Sequence, residues 1–328
     1  MGSLTDYPEV EIASLVAARH AYVPGSDLLS LIKNYADVEI RSIPVPNVDG
    51  VSLHLKVKGR RPLIIVNSQI AETRQRFTLA HEFGHVLIPW HTGTIFSYSS
   101  ADGFTEGADQ AYWDTEAEAN RFAAELLMPR KWLRSLHEEK KNPAHTAKQA
   151  EKLCGTSMQA IIIALNNSLP PGFVYASIDD TGHVISSSSS KGTFVSPLKV
   201  GEYLDASLQF EECENCYEYQ HRGLRHNWML FEAEQDFDAD SDPRPWRDVL
   251  EEILLDTGAE ARQSNIKQSL NAIVASNNRS EYSAKAFYAA VRQRLVGRGQ
   301  PYEDILAHSN FSSYLIKRIE DLISRRSS

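Results

Sequence analysis

The sequence predicts an α+β fold: helices with a small antiparallel or mixed sheet first, then a helical segment, then a C-terminal α+β region. Three observations carry this. Helical apolar spacing is interleaved with short β-type runs before residue 130, Pro170-Pro171-Gly172 marks a boundary, and residues 173–232 alternate before a helical pattern resumes from Pro243 to Ile323. The expected divisions are 1–130, 131–170 and 171–328.

Ile12, Leu15, Val16 and Ala18 have helical spacing, and Pro24-Gly25-Ser26-Asp27 then supplies a break and a capping aspartate for a second helix from Leu28 to Tyr35. Three strands follow. They are Val38 to Ile43, Val51 to Val57 with alternating Val51, Leu53, Leu55 and Val57, and Leu63 to Val66. Glu72 to Ile88 predicts a helix stopped by Pro89, and the Gly-, Ser- and Asp-rich residues 91–111 predict a loop. Asp114 to Met128 is a second strong helix, ended by Pro129, with two or three more running to about Leu165. Beyond the boundary, the low-complexity run Ser186 to Ser190 interrupts the β-rich stretch. Trp246, Val249, Leu250, Ile253 and Leu254 then form one apolar helical face.

The 328 residues are 42% hydrophobic and 23% charged, which suits one large or two ordinary globular domains. A net charge of -9 gives no global attraction to nucleic acid or an anionic membrane, so direct nucleic-acid binding would need a local basic patch. Three cysteines make no disulfide framework, and the N-terminus lacks a signal-peptide pattern. The longest apolar run, Ala160 to Leu165, falls far short of the roughly 18–20 residues that cross a bilayer, so a cytoplasmic location is expected.

The chemistry is concentrated in His81-Glu82-Phe83-Gly84-His85, an H-E-x-x-H on a predicted helix. Residues four apart sit about 40° apart around a helix, one turn above the other, so both imidazoles can reach one ion. Glu82 follows the first histidine and is placed to take a proton from water at an open coordination position. A catalytic zinc site needs a third protein ligand, and the second helix offers Glu116, with Asn120 one turn later to hold a ligand histidine. Glu118 is the rival ligand, although it points about 200° away from Glu116, and Glu125 is a lesser one.

Taken together, Arg76-Phe77-Thr78-Leu79-Ala80-His81-Glu82-Phe83-Gly84-His85 and Glu116-x-x-x-Asn120-Arg121-Phe122-Ala123-Ala124-Glu125-Leu126-Leu127-Met128-Pro129 closely resemble the ImmA/IrrE family of metallo-endopeptidases. The resemblance covers roughly residues 10–168. It implies a minimal zincin-like core, with zinc (or manganese) bound by His81, His85 and Glu116 and with Glu82 as general base. Members of the family cut DNA-binding repressors, which implies a protein substrate such as a repressor or an antitoxin-like partner. The alternative is a metal-dependent sensor that sequesters such a partner uncut; it would have no need of Glu82. A cleft strand is expected from Val51 to Val57 or Leu63 to Asn67, and an oxyanion donor from among Tyr98, Tyr112, His91, His221 and His226.

Two weaker signals complete the reading. Residues 146–165 faintly resemble a helix-turn-helix, but the second helix is core-like rather than rich in base-reading side chains. Cys213-x-x-Cys216 is a single pair, which a zinc ribbon would have to complete with His221 and His226; ordinary hairpin cysteines explain it as well. Residues 171–328 carry no nameable motif, and a regulatory role for them rests on analogy alone.

Overall fold

The computed structural model describes residues 7–98, 110–193, 195–204, 213–231, 237, 240, 242–258, 263–278, 282–295 and 298–325. The chain divides into two units, Met1–Ser168 and Leu169–Ser328, and both mix helices with a small sheet, as an α+β fold requires.

The first unit begins with α1 (Pro8–Arg19) and α2 (Leu28–Ile32), the latter capped by Asp27, whose carboxylate accepts from the Ser30 amide at 3.2 Å. Three strands follow, β1 (Asp37–Arg41), β2 (Val48–Leu55) and β3 (Leu63–Asn67). Then come α3 (Glu72–Leu87), β4 (Gly93–Tyr98) and α4 (Gln110–Leu127). Three further helices, α5 (Arg130–Lys140), α6 (Pro143–Cys154) and α7 (Met158–Asn166), close the unit. The sheet order is β1-β3-β2-β4, with β1 parallel to β3 and the other pairs antiparallel.

That order corrects two expectations. β2 and β3, one of them expected to lie along a cleft as an exposed edge, are both interior, and among the described residues the edges are β1 and β4. β4 lies inside the stretch expected to be loop, where the local Thr94-Ile95-Phe96 run outweighs the Gly and Ser around it; residues 99–109 lie outside the described part. The alternation in β2 also fails past Ser52. A register shift lies between Ser52 and Leu55 and His54 has a φ of 60°, so Leu55 is buried while Val57, just past the strand, is exposed.

The second unit holds β5 (Phe173–Ile178), β6 (Val184–Ser189), β7 (Asn215–His221) and β8 (Leu224–Leu230) in the antiparallel order β6-β5-β8-β7. Most of the serine run, expected as an interruption, is strand β6. Its hydroxyls join the pairing, with Ser186 Oγ 2.8 Å from Ser177 Oγ and Ser187 Oγ donating to the Tyr175 carbonyl at 2.8 Å. The helices that follow among the described residues are α8 (Trp246–Asp256), α9 (Gln263–Ser276), α10 (Ala284–Leu295), α11 (Tyr302–Ala307) and α12 (Phe311–Ser324). Val249, Leu250, Ile253 and Leu254 from α8 share one core with Leu270, Phe287 and Tyr314, and the partly buried Trp246 packs against it.

Candidate metal centre

The site is built where α3 crosses α4. Phe83 packs edge-on against Phe122 with ring centroids 5.8 Å apart. Gly84 lets the helices approach closely, since a Cβ there would lie 3.1 Å from Phe122 Cδ1 and 3.3 Å from Ala119 Cα. At this spacing the buried side chains of His81, His85 and Glu116 converge. The two Nε2 atoms are 3.1 Å apart, Glu116 Oε2 is 3.2 Å from His81 Nε2, and Glu116 Oε1 is 3.2 Å from His85 Nε2. Donors placed about 2.0–2.1 Å from a tetrahedral ion stand about 3.3 Å from one another, so this triangle could hold a metal ion. It is the one such group of His, Cys, Asp or Glu among the described residues.

The electrostatics suit a cation. Burial pushes His85 down to about 3, so it stays neutral with a lone pair to give. Burial works against the charge on Glu116, but the two imidazoles overcome it and hold the carboxyl down to about 2. His81 is likewise opposed by burial, and Glu116 lifts it above its ordinary value. Asn120, one turn along α4 from Glu116, has its Oδ1 3.0 Å from His81 Nδ1.

Glu82 is fully buried beside this group. Ser52 Oγ donates to its Oε2 at 2.6 Å, and its Oε1 is buried without a hydrogen-bond partner. Burial raises the carboxyl to about 7, against the opposing charge of His81 and the Ser52 hydroxyl. The room for Oε1 comes from Gly50, where a Cβ would collide with that oxygen.

The rival acids are placed elsewhere. Glu118 Oε2 accepts from Trp90 Nε1 at 2.6 Å and lies 2.8 Å from His91 Nε2. Glu125 accepts from Ser14 Oγ at 3.5 Å and from the Arg130 amide at 3.4 Å. His91, one of the expected oxyanion donors, has both nitrogens engaged: its Nδ1 stands 2.9 Å from His85 Nδ1. Burial lowers its pKa. The His91–Glu118 contact is missing from the sequence reading because no fixed spacing announces it. Among the other candidates, Tyr112 donates to the Phe96 carbonyl at 2.8 Å, and Tyr98 lines the cleft. His221 and His226 belong to the second unit, where His226 Nδ1 lies 2.7 Å from the Tyr175 hydroxyl. Cys213 and Cys216 are free and join no metal-ligand group among the described residues.

A cleft of about 710 Å³ reaches the triangle at His81 and Glu116, and Phe77, Tyr98, Met128 and Ile163 are also among its lining residues. The outer face of α7, the second helix of the helix-turn-helix-like segment, therefore forms a cleft wall.

Residues 33–166 match the IrrE N-terminal-like domain. The Radiation response metalloproteases IrrE of Deinococcus radiodurans and Deinococcus deserti are each 27% identical over 168 residues, which is 51% of this chain and 48% and 57% of theirs. The chain spans about half the length of the curated relatives it matches. A solved structure titled Mycobacterium tuberculosis transcriptional regulator aligns over 71% of this chain and 94% of its own, at 11% identity and a TM-score of 0.41, a likeness too low to carry an argument. The domain match and the two relatives agree with the paired motifs of α3 and α4: residues 33–166 of this chain are similar to the IrrE N-terminal-like domain.

Proposed function

We propose that this protein is a zinc-dependent endopeptidase that makes a site-specific cut in a protein partner, a DNA-binding transcriptional repressor or an antitoxin-like protein. The observation that carries the reading is Glu82, a fully buried carboxyl raised to about 7 with one unpaired oxygen, set beside the His81 and His85 imidazoles and an ionised Glu116. A group tuned near neutrality is what a general base needs. A protein that only sequesters its partner has no use for it.

His81, His85 and Glu116 would hold the ion, and two imidazoles with one carboxylate suit zinc, with manganese the substitute. When bound, the ion supplies polarisation of the scissile carbonyl and acidification of the attacking water. Glu82 takes the water's proton on Oε1 and passes it to the leaving amine, while Ser52 keeps Oε2 fixed. Asn120 holds the His81 ring. β4 is an edge strand with Ser97 and Tyr98 on the cleft, so an extended substrate segment can pair along it. In this reading residues 1–130 are the peptidase core, 131–170 a helical wall of its cleft, and 171–328 a regulatory domain of a cytoplasmic protein.

The test is metal stoichiometry beside His85→Ala and Glu116→Ala, followed by co-expression with neighbouring gene products. We expect about one zinc per wild-type chain and none in the variants, and a clip in a partner that disappears in Glu82→Gln. A wild-type chain that takes up no metal on reconstitution refutes the peptidase.

A further inference from the structure

We propose that His91 and Glu118 are a positioning pair that fixes His85 in the tautomer able to bind a cation through Nε2. The inference rests on the metal-centre reading above and extends it to two residues outside the ligand set. The carboxylate of Glu118 can only accept, and its Oε2 lies 2.8 Å from His91 Nε2, so that nitrogen carries a hydrogen. In a neutral His91 the other nitrogen, Nδ1, is then bare. It faces His85 Nδ1 at 2.9 Å and accepts there, which places the single proton of neutral His85 on Nδ1. His85 Nε2 keeps its lone pair, directed at His81 Nε2 and Glu116 Oε1, 3.1 Å and 3.2 Å away. The opposite tautomer would aim an N–H into the ion's place.

The pair is held at both ends. His85 and His91 are 0% and 2% exposed, so solvent offers neither ring another partner. Trp90 Nε1 donates to the same Glu118 oxygen at 2.6 Å and pins the carboxylate at the surface end of the chain. α4 thereby orients both ligand histidines by different means. Asn120 Oδ1 accepts directly from His81 Nδ1, whereas Glu118, on another side of the helix, acts on His85 through His91. Partners of this kind fix the ring angle and tautomer of a ligand histidine, and losing one typically weakens metal binding about 10–100-fold.

Two measurements on the full chain test the pair. In metal-free protein labelled with 15N-histidine, long-range proton–nitrogen correlation reads each tautomer. We expect His85 protonated on Nδ1 and His91 on Nε2; His85 protonated on Nε2 overturns the proposal. Zinc affinity is then measured by competition with a chromophoric chelator. His91→Phe should weaken binding about 10–100-fold, and His91→Asn, whose Oδ1 stands near the lost Nδ1, should restore most of it. Phe within about threefold of wild type, or equal losses in Phe and Asn, overturns the proposal. A wild-type chain that takes up no zinc defeats the metal-centre reading separately, and the tautomers still decide on the pair.

Discussion

Replacing Glu82 by Gln should stabilise the metal-free protein in alkaline solution and do little in acid. The folded protein holds this carboxyl at about 7 against an ordinary 4.5, because its site is fully buried. Between those values the folded state keeps a proton that the unfolded chain has released. Folding therefore binds a proton, and stability falls as pH rises from 4.5 to 7. By pH 8 the full difference applies, about 2.5 units at 1.36 kcal/mol each, or about 3 kcal/mol of destabilisation. Gln has no charge to desolvate and can still accept from Ser52. Its amide nitrogen falls where Oε1 already lacks a partner, a cost of about 1 kcal/mol. A net gain of about 2 kcal/mol raises the Tm of a unit this size by about 4–8 °C. Thermal unfolding in chelator, wild type against variant, should show that rise at pH 8 and little of it at pH 5. A rise equal at both pH values, or a fall at pH 8, would refute the account of Glu82 as a strained, proton-retaining base.

Two further perturbations probe the frame around the site. Arg121→Ala leaves the buried Glu9 carboxylate without its ion-pair partner and should cost about 3–5 kcal/mol in urea unfolding, largely recovered by adding Glu9→Gln. Ile163→Glu, on the exposed face of α7 at 56% accessibility, should change stability by no more than about 0.5 kcal/mol. In steady-state cleavage of the partner it should raise KM and spare kcat, because it alters the cleft wall and not the reacting groups.

The parts of the site that were legible in the sequence are those set by one helix at a time. Residues four apart share a helix face whatever surrounds them, so His81 with His85 and Glu116 with Asn120 declare themselves. What was hidden depends on pairing between segments. Strand order is long-range information: β2 alternates convincingly yet lies inside the sheet, while β4, six residues in a loop-like composition, takes the edge by the cleft. The serine strand β6 runs against propensity because β5 supplies partners for its hydroxyls as well as its backbone. His91 was set apart from His85 by Pro89 and offered as an oxyanion donor. Only the turn after α3 brings its ring back against His85, with Glu118 reaching it from α4.

Gly84 shows how the two scales of information meet. Inside a helix a glycine destabilises by roughly 0.5–1 kcal/mol relative to alanine, so the H-E-F-G-H segment is a poorer helix than it needs to be. A methyl at that position would press on Phe122 and Ala119, which would have to give by a few tenths of an ångström. Glu116 rides on α4 and both histidines on α3, so their 3.2 Å contacts depend on that separation. Metal ligands tolerate errors of about 0.2 Å, no more than the shift such a methyl would ask of its neighbours. The glycine therefore trades helix stability for the distance between two helices, and through it the spacing of the ligand triangle. Asn120 and Glu118 gain from the same approach, since each reaches its histidine across that interface. One residue without a side chain thus bears on how five side chains across the α3–α4 contact are spaced, which no propensity scale applied to α3 alone would reveal.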